Sequence, residues 1–222
     1  MFSLEMSKEQ LVDRMLSAQS QVDGWKLRTS RLSLDEEFSR LQQGMHDLMQ
    51  APLFIDDTPA NSVLNMRSVL RRLNSDKPIG LIIVDYLQLM STAKSYDNMV
   101  NQVTEISRSL KGLAKEFNVP VIALSQLSRA VESRGGRPRL SDLRDSGSIE
   151  QDADIVMFIH RENKHDENSE KKNIVEILIE KHRNGPTGIV ELYFDDKKTS
   201  FLSVDKSEFG DFVLPKVGVS DF

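Results

Sequence analysis

Three polar residues could carry chemistry in this chain because each follows a short apolar run: Glu5, Asp85 and Gln126. These runs, of which 81–84 is the clearest, predict strands buried on both faces of a parallel sheet. Parallel strands place their carboxyl ends at one edge, where open α/β sheets bind ligands. A carboxylate that polarises water, a carboxylate that holds a metal and an amide that contacts a terminal phosphate would suit hydrolysis of a nucleoside triphosphate. Each residue alone could instead simply end a strand.

A second candidate is the arginine-rich segment, which we define as residues 127–147. Five arginines stand against two acids between residues 128 and 144, a local net charge of +3 in a chain of net charge −5. They are Arg129, Arg134, Arg137, Arg139 and Arg144. The glycine pair at 135–136 and the proline at 138 predict a mobile loop rather than a helix or strand. Arginine on such a loop suits contact with phosphate, and the Ser/Gly run that follows could present backbone amides to an anion. A solvated surface loop is the alternative.

A third candidate is the cation pair Lys181 and Arg183, which precedes the turn sequence at 184–188. On a strand these two residues would point to the same face, so both cations could meet phosphate oxygens. The alternative is a pair of exposed cations that protect an edge strand from aggregation.

Alternating helical and extended patterns predict an α/β fold with a mainly parallel sheet, followed after residue 150 by an antiparallel extension with a hairpin. Trp25 is expected to pack against the core from a loop. Capping signals and apolar periodicity predict helices at 7–22, 34–51, 62–74 and 98–118. Strands are predicted at 53–57, 81–85, 119–126, 154–160, 173–182, 189–194 and 200–204. The expected buried face of the third helix comprises Val63, Met66, Val69, Leu70 and Leu73.

The bulk composition is that of an ordinary soluble globular protein, with 39% hydrophobic and 28% charged residues. There is no cysteine, which excludes disulfides and thiolate metal sites. No apolar stretch approaches the roughly 20 residues that a membrane span needs, and the first residues lack the features of a signal peptide. A cytoplasmic protein without a membrane partner is therefore expected. The negative net charge argues against a surface that coats nucleic acid globally, but a local basic site remains compatible with it.

Five segments, taken in order, closely resemble the C-terminal motor domain of DnaB-type replicative DNA helicases. They are residues 2–7, 81–90, 125–129, 141–156 and 181–188. The runs at 148–154 and 181–188 are distinctive of that family, whereas other RecA-like ATPases share only the acids at the strand ends. The resemblance implies a RecA-like domain over residues 1–204, and the tail at 205–222 is expected to be weakly structured.

The resemblance also implies roles in nucleotide hydrolysis. Glu5 resembles the catalytic glutamate that activates the attacking water. Asp85 resembles the Walker B acid, which organises Mg²⁺ through water. Gln126 is placed like the residue that senses the terminal phosphate of ATP and relays its state to the DNA-binding loops. Lys181 and Arg183 resemble the pair that one subunit inserts into its neighbour's nucleotide site, with Arg183 as the arginine finger.

The expected partners are those of the family: single-stranded DNA, five further copies of the chain in a homo-hexameric ring, a primase and a helicase loader. Arg144, Asp145 and Gly147 fall where the family holds the backbone of single-stranded DNA in the central channel. Arg129 and Arg137, from the same arginine-rich segment, are further DNA-binding candidates.

One departure from the family is plain in the sequence. The phosphate-binding G-x-x-x-x-G-K-[ST] loop is absent, since none of the 11 glycines is followed by lysine. We therefore expect these residues to be the distal part of a longer or split polypeptide, and we expect the isolated chain to be inactive as an ATPase without this loop. The alternatives are a truncated, non-catalytic helicase fragment that acts as an interaction module, and a recombinase-like or circadian-type RecA relative. The two family-specific runs disfavour the last.

Overall fold

A computed structural model describes residues 1–32, 35–92, 94, 96, 98–128, 130–162 and 173–204. The predicted tail at 205–222 lies outside the described residues. In chain order the strands are β1 (Phe2–Ser3), β2 (Ile82–Asp85), β3 (Val121–Ala123), β4 (Ile155–His160), β5 (Ile174–His182), β6 (Gly188–Asp195) and β7 (Ser200–Ser203). The α-helices are α1 (Lys8–Ser20), α2 (Gly24–Arg28), α3 (Asp35–Gln50), α4 (Val63–Asp76), α5 (Met99–Phe117), α6 (Ala130–Arg134) and α7 (Gly147–Asp152). Two 3₁₀ segments lie at Leu87–Leu89 and Leu140–Ser146.

The chain forms two compact units, and the first comprises Met1–Val12 and Gln50–Val156. Its sheet is parallel, as the sequence predicted, and its strands lie in the order β1-β2-β3. The predicted strand at 53–57 was wrong, because only a single bridge forms there, between Asp56 and Phe2. Strand β3 is shorter than predicted and is not buried, since Ile122 is 46% exposed. Within the described residues β3 pairs with β2 alone.

Helices α4 and α5 supply the apolar face that covers this sheet. The Ser62 hydroxyl accepts a hydrogen bond from the Asn65 amide at the start of α4, and Asn98 caps α5 in the same way. Helix α5 ends at Phe117, and Asn118, which caps it, adopts the left-handed conformation. Both helices therefore confirm the prediction from capping and periodicity. The buried core of the first unit comprises Phe2, Leu4, Val63, Met66, Leu70, Ile82, Val84, Leu87, Met90, Ile106, Leu110 and Leu113.

The second unit comprises Asp13–Met49 and the residues from Met157 onward. Its strands pair in the order β4-β5-β6-β7, and the β5–β6 and β6–β7 pairs are antiparallel, which confirms the predicted hairpin extension. Trp25 does not pack into a core as predicted. It lies on the short helix α2 and is 51% exposed, with the Arg31 guanidinium 4.9 Å from its ring centroid. In the part of the chain that the structure describes, no helix has the length and apolar character of a membrane span.

The core packing of α4 yields a direct test of the fold. Met66 is fully buried, whereas Leu64 on the same helix is 62% exposed. We expect Met66→Ala to lower the free energy of unfolding by about 2–5 kcal/mol, because it removes buried methylenes and leaves a cavity. The control Leu64→Ala should change it by less than about 0.5 kcal/mol. Urea unfolding followed by circular dichroism measures both, and equal effects would contradict the assigned burial.

Candidate functional site

The carboxyl ends of the three parallel strands meet at one edge of the sheet. Ser3 lies opposite Asp85, and the Leu4 amide donates to the Asp85 carbonyl at 2.7 Å. On the other side of β2, the Leu124 amide donates to the Val84 carbonyl at 2.9 Å. This register fixes where the residues that follow each strand can lie. We call this edge the strand-end rim.

The strand-end rim carries all three of the polar residues singled out from the sequence. Glu5 comes two residues after β1, Asp85 ends β2, and Gln126 comes three residues after β3. Glu5 and Gln126 are exposed, and Asp85 is partly buried. The peptide bond that links Asp85 to Tyr86 is cis. The structure thus brings the three backbone positions to one edge, and their chemical roles stay predictions.

A fourth residue, which sequence reasoning missed, holds the rim together. Gln88 lies in the 3₁₀ segment after β2, and its Nε2 donates to the Ser125 hydroxyl at 2.9 Å and to the Gln126 carbonyl at 3.2 Å. Its Oε1 accepts from the Gln126 amide at 3.2 Å. The Leu87 amide also donates to the Leu124 carbonyl at 3.0 Å. The segment after β3 is therefore fixed to the segment after Asp85.

The rim carboxylate at the end of β2 suits a hydrated divalent cation. Neither Glu5 nor Asp85 forms a salt bridge with any residue that the structure describes. Among the same residues, no group of three or more His, Cys, Asp or Glu side chains is arranged to hold a metal ion. Mg²⁺ at nucleotide sites is ordinarily held by one or two carboxylates together with waters and phosphate oxygens. One rim carboxylate at the end of β2 fits that mode.

The arginine-rich segment is more ordered than the sequence predicted. Helix α6 ends at Arg134, a 3₁₀ segment begins at Leu140, and α7 starts at Gly147, so the prediction of a loop without helix was wrong for much of the segment. Helix is interrupted, as the loop prediction requires, only after α6, where Gly135 and Gly136 have φ of 69° and 75°; we call residues 135–139 the break. Those values lie in the left-handed region, which glycine adopts without steric cost.

An ion pair connects the two ends of the break. Arg134 Nη1 and Nη2 each donate to one carboxylate oxygen of Asp142 at 2.8 Å, and the Arg139 amide donates to the same carboxylate at 2.7 Å. The hydrogen bonds from Arg134 lower the pKa of Asp142, with a smaller contribution from the Arg139 amide. The same pairing raises the pKa of Arg134. Arg134 is therefore committed to an internal contact, whereas the sequence had suggested either a phosphate-binding cluster or a solvated surface loop.

The DNA-binding candidates occupy different parts of this segment. Arg137 is exposed in the break between α6 and the 3₁₀ segment. The backbones of Arg144 and Asp145 run through the 3₁₀ segment, and Gly147 is the first residue of α7. Arg129 lies outside the described residues. The sequence prediction that these residues share a site is therefore neither confirmed nor contradicted by their placement.

The cations Lys181 and Arg183 lie at the β5–β6 hairpin. Lys181 is in β5, but Arg183 comes just after the strand ends, so the expected alternation that would place both on one face does not apply. Strand β5 lies between β4 and β6, which argues against the alternative that the cations protect an edge strand. The His182 Nδ1 accepts from the Asn184 amide at 3.2 Å, and a Cβ at Gly185 would lie 2.8 Å from the His182 ring. A side chain at position 185 would therefore require the His182 ring to move.

The fold is that of the RecA-like ATPase domains of helicases. The chain superimposes on one solved ATPase domain with a TM-score of 0.86 and 40% identity, covering 92% of this chain and 73% of that one. A DnaB-like replicative helicase, whose structure was described with its interactions with primase, gives a TM-score of 0.87 at 40% identity, covering 92% of this chain and 50% of that one.

Residues 1–203 match the DnaB-like helicase C-terminal domain, and the chain belongs to that family. It is 49% identical to the replicative DNA helicase DnaB of Geobacillus stearothermophilus over 207 residues, which cover 92% of this chain and 45% of that protein. It is 48% identical to the replicative DNA helicase DnaC of Bacillus subtilis over 216 residues, which cover 96% of this chain and 47% of that protein. The chain therefore spans about half the length of these relatives.

The rim geometry predicts a local role for Gln88. We expect Gln88→Ala to lower the protection of the Gln126 amide from hydrogen exchange by about tenfold, because it removes hydrogen bonds worth about 0.5–1.5 kcal/mol each. Gln88→Glu should have an intermediate effect, since it keeps the acceptor and loses the donor. The control is Gln42→Ala, on the exposed surface of α3. Unchanged exchange at Gln126 in Gln88→Ala would contradict this role.

Proposed function

We propose that this chain is the motor part of an ATP-dependent replicative DNA helicase. The observation that carries the proposal is the register of the three parallel strands, which brings Glu5, Asp85 and Gln126 to one rim. Family membership supports it, because the relatives that match nearly the whole chain are replicative DNA helicases. In this proposal, ATP hydrolysis moves DNA-binding loops along one strand and unwinds the duplex.

The rim residues divide the work of hydrolysis. Glu5 is exposed at the rim and acts as the base that orients and activates the attacking water. Asp85 holds Mg²⁺ through water, and the ion, when bound with ATP, offsets charge on the phosphates. Gln126 contacts the terminal phosphate. Because Gln88 fixes the backbone of Gln126, a change at the phosphate is transmitted to the arginine-rich segment that follows in the chain.

The hairpin cations act on the nucleotide of a neighbouring copy in a hexameric ring. Arg183 lies at the tip side of the hairpin and is exposed, which suits insertion into another subunit. There it stabilises the charge that develops on the transferred phosphoryl group, and Lys181 assists. A primase and a helicase loader are further proposed partners, and the former agrees with the solved relative described with primase.

Single-stranded DNA is the proposed polymer substrate. The backbones of Arg144, Asp145 and Gly147 lie at the junction of the 3₁₀ segment and α7, and we assign these residues to the DNA backbone. Arg129 and Arg137 are further DNA contacts in this proposal. A basic segment in a chain of net charge −5 would confine nucleic-acid binding to one surface.

A non-catalytic interaction module, which the sequence left as an alternative, is the second candidate function. ATP hydrolysis by this chain separates the two functions. DNA-stimulated hydrolysis supports the motor, whereas binding to full-length helicase subunits without hydrolysis supports the module.

The arginine-finger assignment makes a kinetic prediction. In a motor that includes the phosphate-binding loop, Arg183→Ala should lower DNA-stimulated ATP hydrolysis by about 10³-fold or more, because it removes charge stabilisation in the transition state. Binding of labelled ATP, measured by fluorescence, should change little. Lys197→Ala, in the exposed β6–β7 turn, is the control and should leave both quantities unaltered. Loss of ATP binding in Arg183→Ala would contradict the role.

The DNA-backbone assignment makes a prediction about salt. Arg144→Ala should weaken binding to an oligothymidylate and reduce the slope of log affinity against log salt by about 0.7, the value for one phosphate contact on a single strand. Arg14→Ala removes the same charge from the exposed face of α1 and should alter neither. Fluorescence anisotropy at several salt concentrations measures both variants. An unchanged affinity and slope in Arg144→Ala would remove this residue from the DNA site.

A further inference from the structure

The Arg134–Asp142 ion pair closes a small loop within the arginine-rich segment. Arg134 is the last residue of α6, and Asp142 is the third residue of the 3₁₀ segment. Two parallel hydrogen bonds of 2.8 Å join the guanidinium to the carboxylate. This bidentate geometry fixes orientation as well as distance, which a lysine in the place of Arg134 could not do. We call the enclosed residues, 135–141, the clamped loop.

Further hydrogen bonds tie the clamped loop to the same pair. Arg134 Nη2 also donates to the Arg137 carbonyl at 3.1 Å. Asp142 accepts from the Arg139 amide through its carboxylate at 2.7 Å, and its own amide donates to the Arg139 carbonyl at 2.8 Å. The left-handed glycines at 135 and 136 allow the backbone to reverse between these contacts. The path of the clamped loop is therefore set by Arg134 and Asp142.

The burial of the pair contrasts with the exposure of the loop it encloses. The Asp142 side chain is only 8% exposed, and Pro138 is buried. Arg137 and Arg139, on either side of Pro138, are exposed. A buried carboxylate that accepts three hydrogen bonds serves the internal structure, whereas the two flanking arginines face solvent. Arg137 and Arg139 are therefore exposed on a loop whose backbone is held in place by the ion pair.

We propose that Arg134 and Asp142 are positioning residues for single-stranded DNA: their ion pair holds the clamped loop so that Arg137 and Arg139 meet adjacent phosphates. The inference rests on the proposed function and deepens it by naming the device that orders the phosphate contacts. An ordered loop loses less conformational freedom on binding than a mobile one, so the clamp raises affinity without touching DNA.

For the Asp142 variant, the proposal predicts a change in DNA affinity opposite in direction to the change that net charge alone predicts. Asp142 is an acid within a basic segment, and removing its charge should strengthen binding to a polyanion if only net charge mattered. The clamp predicts weaker binding instead. Arg134→Lys keeps the net charge but loses the bidentate geometry, and the clamp again predicts weaker binding. The two variants therefore separate positioning from charge.

The test measures binding of fluorescein-labelled oligothymidylate to the full chain by anisotropy at several salt concentrations. Asp142→Asn and Arg134→Lys should each weaken binding by about five- to tenfold, as expected when a loop must become ordered on binding. Each should also reduce the salt slope, by about 0.7 for each phosphate that the loop no longer reaches. Asp76→Asn, at the exposed end of α4, removes the same charge as Asp142→Asn and should bind as tightly as the wild type or tighter.

Limited trypsin digestion supplies a readout that does not depend on DNA. Cleavage after Arg139 should be faster in both clamp variants, whereas the bond after Arg137 precedes proline and resists trypsin. Urea unfolding checks that the fold is retained, and Arg134→Lys decides the matter if Asp142→Asn unfolds. Unchanged or tighter DNA binding by the folded variants overturns the clamp while leaving the proposed function standing. A wild-type chain that shows no salt-dependent DNA binding overturns both.

Discussion

The structure depends first on the hydrogen bonds that hold β1, β2 and β3 in one parallel register. The bonds from Leu4 to Asp85 and from Leu124 to Val84 leave little choice about where the chain goes after each strand. Because the strands are parallel, three segments far apart in sequence must leave the sheet at the same edge. The rim is therefore positioned by the sheet itself, whose central strand is anchored in the core by the buried residues Ile82 and Val84.

Two sets of side-chain hydrogen bonds fix the backbone of segments that the proposed function uses. Gln88 joins the segment after β2 to the segment after β3, so the position of Gln126 is coupled to that of Asp85. Downstream, the Arg134–Asp142 pair orders a loop that bears exposed arginines. Both devices use side chains to fix a backbone, and each replaces conformational freedom with two or three hydrogen bonds.

The sequence was most informative where local physics decides the structure. Capping residues such as Ser62 and Asn98 and regular apolar spacing predicted α4 and α5 closely, and the acid after an apolar run predicted the rim. The sequence was least informative where strand pairing depends on which distant segments the fold brings together. The strand predicted at 53–57 forms only one bridge because few of its residues lie beside β1. The contacts of Gln88 and Asp142 leave no periodic signal, so they emerge only in three dimensions.

The most direct measurement of the central claim is the separation of Glu5 and Gln126, which no local signal in the sequence fixes. The chain has no cysteine, so nitroxide labels on Glu5→Cys and Gln126→Cys, both exposed positions, report on those two sites alone. Strands β1 and β3 are two inter-strand spacings apart, about 10 Å, so dipolar broadening in the electron paramagnetic resonance spectrum should indicate labels within about 20 Å. A doubly labelled chain whose spectrum equals the sum of the two singly labelled spectra would contradict the account.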